Sequence, residues 1–240
     1  MTLGEILSSL FPMGHQVAVD ETGIITGHGP LIGGGQIEVI GIAARTAVGV
    51  DEAIQLSRRV IALMHEQDPR PLLVLLDSDS QRMSKRDEML GLSEFLAHLA
   101  KCLIVADRHH HQTVGLLYGH TAAGAFIATA LATRTLVALP GADPAVMDLP
   151  SMSKVTKLPL EVLEAKAKST PVFAPGLANL VQAGAVYATW DEQASLAKQL
   201  RQLLDERGTG LDERDRLGRS RHGRLKAAEI AEKVHELAIE

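Results

Sequence analysis

One stretch of the chain places small residues at the spacing of a strand, a tight turn and a helix. Residues 113–118 form an apolar run long enough for a buried strand, and Gly119 and His120 interrupt it. The apolar helix that follows opens on small residues, which are Ala123, Gly124 and Ala125. The first N–H groups of a helix have no partner within it and lie at the positive end of its dipole. Because alanine and glycine leave room for a negatively charged oxygen, this turn can act as an oxyanion hole.

The same turn also admits a structural interpretation. Close packing of a helix on a sheet needs small residues, so residues 123–125 can serve packing alone. His120 follows the strand, and its imidazole can bind or position a substrate acid, or it can only hydrogen-bond the turn. The turn is therefore a candidate site whose role depends on the elements around it.

Apolar runs of strand length alternate with helical periodicity along the rest of the chain. The predicted strands are residues 17–19, 23–26, 36–43, 72–76, 113–118 and 135–139. Helices are predicted at 6–10, from about 51 with Asp51 as the cap, and at about 85–105. This alternation implies right-handed crossovers and a largely parallel sheet. Ligands of such sheets bind beyond the carboxyl ends of the strands, where the loops 77–83, 119–125 and 140–157 are expected to meet.

Composition and charge exclude several classes of function. The chain has 240 residues, of which 46% are hydrophobic and 3% aromatic, and a net charge of −5. This balance argues against nucleic-acid binding. No apolar run reaches the roughly 18 to 20 residues needed to span a bilayer, and residues 1–10 lack the basic start of a signal peptide, so we expect a cytoplasmic protein without membrane contact. The single Cys102 permits no internal disulfide and is expected to pack within a helix.

The usual catalytic and metal-binding patterns are missing from the sequence. There is no HExxH, CxxC or GxSxG pattern, and we expect no metal site. The run RHHH at residues 108–111 precedes its strand, so it belongs at the edge opposite to the three loops and is predicted to be a solvent-exposed loop. Asp77 and Asp79 lie at a strand end, where turn formation is the commoner role. Main-chain N–H groups remain, and they suit a reaction that forms an enolate or another oxyanion.

The later part of the chain is predicted to be mainly helical. Helices are expected at 160–168, 177–183 and 192–206. Residues 205–224 carry mixed charge, glycine and little apolar content, which predicts a mobile linker. A final helix at 225–239 places its apolar residues near one face, where it can dock on a neighbour or cover its own chain.

The segments PLLVLLDSDSQRMSKRDEMLG and TVGLLYGHTAAGAFIA resemble the core of the crotonase superfamily, and especially its acyl-CoA carboxyltransferase branch. Within that branch the chain is most similar to the gamma subunits of biotin-independent malonate decarboxylases, from about Leu10 to Glu192. The resemblance implies an α/β fold built as a crotonase-like spiral of β-β-α units with a helical C-terminal extension. The corresponding division is a carboxyltransferase-type domain at 1–204, a linker at 205–224 and a helix at 225–240.

The resemblance also implies an activity and partners. A beta subunit and this chain would together decarboxylate malonyl-S-acyl carrier protein to acetyl-S-acyl carrier protein and carbon dioxide, as a carboxy-lyase. The substrate would arrive on the phosphopantetheine-type arm of the acyl carrier protein, and this chain itself would bind no cofactor. Two alternatives stay open: one half of a biotin-dependent acyl-CoA carboxyltransferase, and a non-catalytic subunit that only shapes its partner's active site.

Carried onto this sequence, the resemblance assigns the site to two segments. The catalytic oxyanion turn falls on Ala123, Gly124 and Ala125. Substrate binding is assigned to residues of the first loop and of the turn, namely Ser80, Gln81, Arg82, Gly119, His120 and Thr121.

Two departures from the superfamily pattern limit what the chain can do. Hydratases place two catalytic glutamates where this chain has Ile127 and Ser151, so the acid and base for adding water to an enoyl thioester are missing. The carboxyltransferase pattern Asp-Thr-Pro-Gly of the first loop is replaced by Asp77, Ser78, Asp79 and Ser80. The second departure leaves open whether the amides of that loop form an oxyanion hole.

Overall fold

The computed structural model describes residues 1–66, 69–169, 175–206, 212–223 and 225–239. Its first elements are α1 (Leu3–Leu10), β1 (Ala18–Val19), β2 (Ile24–Pro30), β3 (Gln36–Val48), α2 (Val50–Met64), β4 (Leu72–Gln81), α3 (Lys85–Leu90), α4 (Leu92–Arg108), β5 (Thr113–Leu117), β6 (His120–Ala122) and α5 (Ala123–Ala128). The later elements are β7 (Thr135–Ala138), β8 (Asp143–Ala145), α6 (Leu149–Thr156), α7 (Leu160–Ser169), α8 (Leu177–Gln182), β9 (Ala188–Thr189), α9 (Leu196–Glu206), α10 (Arg214–Ser220) and α11 (Leu225–Ile239).

Contacts between residues divide the chain into two compact units. The first comprises Met1–Val146 and Thr189–Gly210, and the second comprises Met147–Ala188 and Leu211–Glu240. Strands β1 to β8 lie in the first unit, so the geometry of the candidate turn can be described within that unit alone.

The main sheet has seven strands in the order β1-β2-β3-β4-β5-β7-β9. The β1–β2 and β2–β3 pairs are antiparallel, whereas β3–β4, β4–β5 and β5–β7 are parallel. Short connections suffice for the antiparallel pairs, and the helices α2, α4 and α5 supply the crossovers that parallel pairs need. The predicted α/β fold with a largely parallel sheet is confirmed. A second, two-stranded parallel sheet, β6–β8, was not predicted.

The core of the first unit lies along the central strands. Residues 72–76 of β4 and 113–117 of β5 are buried throughout, as expected for strands that are covered on both faces. Helices α2 and α4 contact each other and bury apolar side chains at helical spacing. Cys102 is one of these buried residues on α4, which confirms its predicted packing role.

Two predicted helix boundaries are wrong. The helix expected at 85–105 is two helices, because Gly91 has a φ of 84° and ends α3 in the left-handed region that glycine readily adopts. Asp51 is not the cap of α2, since it already lies in the first helical turn. Gly49 precedes the helix with an extended backbone, and its N–H donates to the carboxylate of Glu52 at 2.8 Å.

The histidine run is also different from the prediction. Arg108, His109 and His110 are exposed, but His111 is only 2% exposed, and its Nδ1–H donates to the carbonyl of Arg70 at 2.9 Å. The buried imidazole of His111 therefore connects the segment before β5 to the segment before β4. The described residues include no group of three or more His, Cys, Asp or Glu side chains that could hold a metal ion.

Strand β4 extends further than its apolar run. Residues 77–81 were predicted as a loop, but β3 continues to Val48 and pairs Thr46 with Ser78 and Val48 with Gln81. Ala44 and Arg45 of β3 have positive φ values of 57° and 53° where the register shifts. This irregularity lets the two strands stay paired beyond the apolar segment.

Arg82 lies directly after β4 and ties that strand to the start of α2. Its guanidinium donates to Glu52 Oε1 at 2.6 Å and to the carbonyl of Ala47 at 3.3 Å. The carboxylate of Glu52 is 5% exposed, so this is a largely buried ion pair. Substrate binding by Arg82 stays a prediction; in this structure its side chain connects β3, β4 and α2.

The second unit is mainly helical. Asp148 caps α6 by accepting the N–H of Ser151 at 2.7 Å. The guanidinium of Arg221 donates to the carbonyl of Val181, in the last turn of α8, and to the carbonyls of Val186 and Tyr187, which follow that helix. The predicted final helix is confirmed as α11, and the segment 205–224, predicted as a linker, contains α10; its residues 207–211 and 224 lie outside the described ones. In the described part of the chain no helix is long and apolar enough to cross a bilayer.

Replacing Arg82 with alanine should destabilise the first unit. Glu52 would keep only the N–H of Gly49, and an unpaired buried carboxylate is costly, at about 3–5 kcal/mol for a fully buried pair. Because the side chain of Arg82 is 36% exposed, we expect a smaller loss of unfolding free energy, about 1–3 kcal/mol, in urea titrations with an unchanged slope.

Two controls separate this role from a general effect of losing an arginine. The double variant Arg82→Ala/Glu52→Gln should regain much of the stability, because a neutral carboxamide needs no counterion. Arg219→Ala removes an exposed pair with Glu232 and should change stability by less than about 0.5 kcal/mol. Wild-type stability of Arg82→Ala, together with weaker substrate binding, would instead support the predicted contact with substrate.

Candidate functional site

The candidate turn joins β5 to α5 through the short strand β6. Ala122 precedes α5 without a side-chain cap, and Ala123 has a φ of 49°. A non-glycine residue in this left-handed region costs roughly 1–2 kcal/mol. Ala122, Ala123 and Gly124 are only partly buried, so the strained part of the turn reaches the surface. Strained backbone of this kind is concentrated at functional sites.

The main-chain N–H of Gly124 already binds an oxygen atom. It donates to Oε1 of Gln81, at the end of β4, at 2.8 Å. Among the residues that the structure describes, the hydrogen-bond partner of the Gln81 side-chain nitrogen is the sulfur of Met83, at the long distance of 3.9 Å. The N–H of Gly124 is thus directed at a carboxamide oxygen that a partly buried side chain supplies.

Ala125 differs from its two neighbours in the predicted catalytic turn. Its residue surface is 0% exposed, so a substrate cannot reach it from solvent in this conformation. The accessible part of the turn therefore narrows to Ala123 and Gly124. The small side chain of Ala125 instead fits the packing role that was the alternative interpretation of residues 123–125.

Asp77 holds the start of the turn. Its Oδ1 accepts the main-chain N–H of His120 at 3.1 Å. A Cβ atom on Gly119 would lie 2.2 Å from the same Oδ1, so only glycine fits at that position. Gly119 and Asp77 form the turn together, and the sequence analysis had assigned Asp77 a turn-forming role.

The imidazole of His120 lies between two carboxylates. Its Nδ1 is 3.1 Å from Oδ2 of Asp143, the residue opposite it in the β6–β8 pair. Its Nε2 is 4.0 Å from Oδ1 of Asp79 on β4, too far for a hydrogen bond. The side chain of His120 is 20% exposed. The structure therefore places His120 at the carboxyl edge of the sheet with one anchored ring nitrogen.

Two further residues of the turn are internal. Thr121 is fully buried, and its hydroxyl is hydrogen-bonded to that of Ser78 at 2.6 Å. Tyr118 donates its hydroxyl to the carbonyl of Ile42, and burial, helped by the charge of Asp77, raises the pKa of Tyr118 well above its usual value. Tyr118 therefore stays a neutral phenol at physiological pH, and Thr121 supports the turn rather than contacting a substrate with its side chain.

The structure brings together some of the predicted site residues and separates others. Gln81, Gly119, His120, Ala123 and Gly124 lie along one part of the sheet edge. The hydroxyl of Ser80 contacts the next carbonyl of its own chain, at 3.2 Å. Sequence reasoning did not identify Asp143, because it begins a strand of three residues that has no apolar pattern.

Several known proteins are similar to this chain. The malonyl-S-ACP:biotin-protein carboxyltransferase MADD of Malonomonas rubra is 25% identical over 197 residues, which is 74% of this chain and 68% of that protein. A chain of the Pseudomonas malonate decarboxylase hetero-tetramer in complex with coenzyme A superposes with a TM-score of 0.78 at 23% identity, covering 98% of this chain and 97% of that one.

Other solved structures share the fold. The Pseudomonas malonate decarboxylase MdcD-MdcE hetero-dimer matches with a TM-score of 0.76 at 22% identity, covering 98% of both chains. Transcarboxylase 12S matches with a TM-score of 0.68 at 14% identity, covering 85% of this chain but 39% of that one. These likenesses confirm the crotonase-like, carboxyltransferase-type fold.

The family model described as malonate decarboxylase gamma subunit matches residues 43–238. This range contains β4, the strained turn at Ala123 and the His120–Asp143 pair, and it continues into α11. The chain belongs to the malonate decarboxylase gamma subunit family.

Proposed function

We propose that this chain, paired with a beta subunit, decarboxylates a malonyl thioester carried on the phosphopantetheine arm of an acyl carrier protein. The products are carbon dioxide and the acetyl thioester, and the chain itself holds no cofactor for this step. Family membership supports the reaction, and the similar Pseudomonas chains, which belong to a hetero-tetramer and a hetero-dimer, support a hetero-oligomeric assembly. The proposed site rests on the N–H of Gly124, which now donates to the carboxamide oxygen of Gln81 at 2.8 Å and becomes free for a substrate oxygen only when Gln81 moves away.

The chemistry needs a donor at that position. When the malonyl carboxylate leaves as carbon dioxide, its bonding electrons form an enolate, and the negative charge concentrates on the thioester oxygen. A preorganised N–H donor stabilises that oxygen more than the uncharged carbonyl of the substrate, which lowers the barrier. An amide oxygen of a side chain is a fair stand-in for a thioester oxygen, because both are carbonyl oxygens that accept a hydrogen bond.

The substrate oxygen must displace the side chain of Gln81 to reach Gly124. Gln81 is partly buried, and within the described residues the other hydrogen bond of its side chain is the long one to Met83, so few hydrogen bonds oppose a change of rotamer. A typical intramolecular hydrogen bond adds only about 0.5–1.5 kcal/mol net, which an oxyanion on the same donor can exceed because charged partners bind more strongly. Gln81 can therefore hold the turn before substrate binds and yield when it arrives.

The superfamily reaction of adding water to an enoyl thioester is not supported. Ile127, where a hydratase has its first glutamate, is a 49% exposed apolar side chain on α5. Ser151, at the second position, uses its N–H to bind Asp148. Neither residue can move a proton in a hydration.

A second candidate function is carboxyl transfer to or from a biotinylated protein. The observation that favours it is the 25% identity to the Malonomonas rubra protein, whose name describes such a transfer. The same oxyanion turn would stabilise the same enolate in both reactions. The two functions differ in the fate of the carboxyl group, which leaves as free carbon dioxide in one case and is passed to biotin in the other.

The fate of the carboxyl group can be measured directly. We expect the complex reconstituted from this chain and its beta subunit to release carbon dioxide from malonyl-S-acyl carrier protein in a biotin-free mixture. Added avidin should leave the rate unchanged, since no biotin takes part. Carbon dioxide release that requires a biotinylated carrier protein would overturn this assignment in favour of carboxyl transfer.

The variant Gly124→Val tests whether the turn has a chemical role at all. A Cβ atom at Gly124 would lie 3.0 Å from Oε1 of Gln81 and 3.3 Å from Cδ1 of Leu96, so valine closes the space in front of the N–H. Losing one oxyanion donor typically reduces kcat about 10²–10³-fold, and we expect a loss of that order.

Ile127→Val is the matched control, because it changes an exposed aliphatic residue of the same helix and should leave kcat unaltered. Assembly with the beta subunit is checked by gel filtration for both variants. Normal turnover of a correctly assembled Gly124→Val complex would mean that this chain only shapes the active site of its partner.

A further inference from the structure

We propose that His120 is the proton donor that converts the enolate into the acetyl thioester, with Asp143 as its positioning residue. The inference rests on the decarboxylation proposed above, because an enolate formed by loss of carbon dioxide must receive a proton at carbon. Main-chain N–H groups stabilise the enolate oxygen but do not release a proton. A titratable side chain beside the turn can supply that proton faster than water does.

The two ring nitrogens of His120 have different surroundings. Nδ1 is anchored on Asp143 at 3.1 Å, whereas Nε2 makes no hydrogen bond within the described part of the chain and lies 4.0 Å from Asp79. The main-chain N–H of the same residue is fixed by Asp77. One nitrogen held by a carboxylate and the other left available is the arrangement by which histidine acts as an acid or base.

The ring also lies along the same part of β4 as the candidate oxyanion donor. Asp79 and Gln81 are two positions apart on that strand, so their side chains leave the same face, about 7 Å apart. Asp79 approaches the ring of His120, and Gln81 binds the N–H of Gly124. The ring of His120 and the N–H of Gly124 therefore contact side chains that leave the same face of β4.

The proton transfer balances without any further reactant. The imidazolium Nε2–H bond breaks as a C–H bond forms at the carbon that carried the carboxylate. The electron pair of the enolate double bond forms that C–H bond, and the pair on oxygen restores the thioester carbonyl. His120 becomes a neutral imidazole and regains a proton from water, which its 20% exposure permits.

A purely structural role for His120 makes a different prediction. The His120–Asp143 contact is also a cross-strand pair of the two-stranded β6–β8 sheet, and such a pair can hold the strands without taking part in chemistry. In that case removing the imidazole lowers stability, whereas it leaves proton transfer in the folded complex unchanged. A readout of proton transfer itself is therefore required.

Hydrogen exchange into the product supplies this readout. Acetyl-S-acyl carrier protein is incubated with the reconstituted complex in D2O, and deuterium in the acetyl methyl group is followed by mass spectrometry. The same acid, acting in reverse as a base, must remove a methyl proton. We expect His120→Gln to slow exchange by at least about 100-fold, the lower range for general acid–base catalysis, and Asp143→Asn to slow it less.

Controls make the exchange result specific. Added imidazole should restore exchange to His120→Ala, and His98→Gln, an exposed histidine of α4, should behave as wild type. The carboxyl groups that face His120 from β4 and β8 are those of Asp77, Asp79 and Asp143.

The outcomes separate this inference from the proposed function. A wild-type complex that releases no carbon dioxide from the malonyl thioester would refute the proposed decarboxylation itself. If release is normal, the role of His120 is refuted by exchange within twofold of wild type in His120→Gln, or by absence of exchange in the wild type.

Discussion

Two hydrogen bonds from the end of β4 hold the β6–α5 turn in its strained form. Asp77 accepts the N–H of His120, and Gln81 accepts that of Gly124. Each of these partly buried hydrogen bonds contributes about 0.5–1.5 kcal/mol net, so each opposes rearrangement of the turn. Because both acceptors are side chains of one strand, the turn is positioned by the register of β4 against β3 and β5. The ion pair of Arg82 with Glu52 fixes the end of β4. Because Gln81 precedes Arg82, the same ion pair helps to keep the acceptor for Gly124 in place.

The left-handed conformation of Ala123 is maintained by its surroundings. Glycine would adopt it without cost, whereas alanine is strained there by roughly 1–2 kcal/mol. The buried hydroxyl pair of Ser78 and Thr121 and the β6–β8 ladder hold the residues immediately before it. A relaxed, right-handed Ala123 would redirect the N–H of Gly124 away from Gln81. The positive φ of Ala123 therefore both strains the turn and sets the direction of the Gly124 N–H.

The sequence predicts an element correctly where burial imposes a local pattern of apolar or small residues. Strands β4, β5 and β7 are covered on both faces, so each appears as a continuous apolar run, and the small residues before α5 marked the turn. The extension of β4 to Gln81 left no such mark, because its polar residues are paired only as a result of the irregular end of β3. The bond between Gln81 and Gly124 joins positions 43 residues apart, and neither residue type predicts the other. Local patterns therefore located the site, whereas its contacts required the tertiary structure.

The charges at this edge of the sheet bear on the direction of the proposed reaction. Asp77, Asp79 and Asp143 surround His120, and Tyr118 stays neutral because burial raises its pKa. A malonyl carboxylate near three carboxylates is destabilised relative to the carbon dioxide it becomes, since the departing group carries no charge. The remaining negative charge moves to the thioester oxygen, where the N–H of Gly124 can meet it, and disappears when the carbon is protonated. The first step moves the negative charge to the thioester oxygen and the second removes it, so an acidic edge that destabilises the bound malonyl carboxylate lowers the barrier to its decarboxylation.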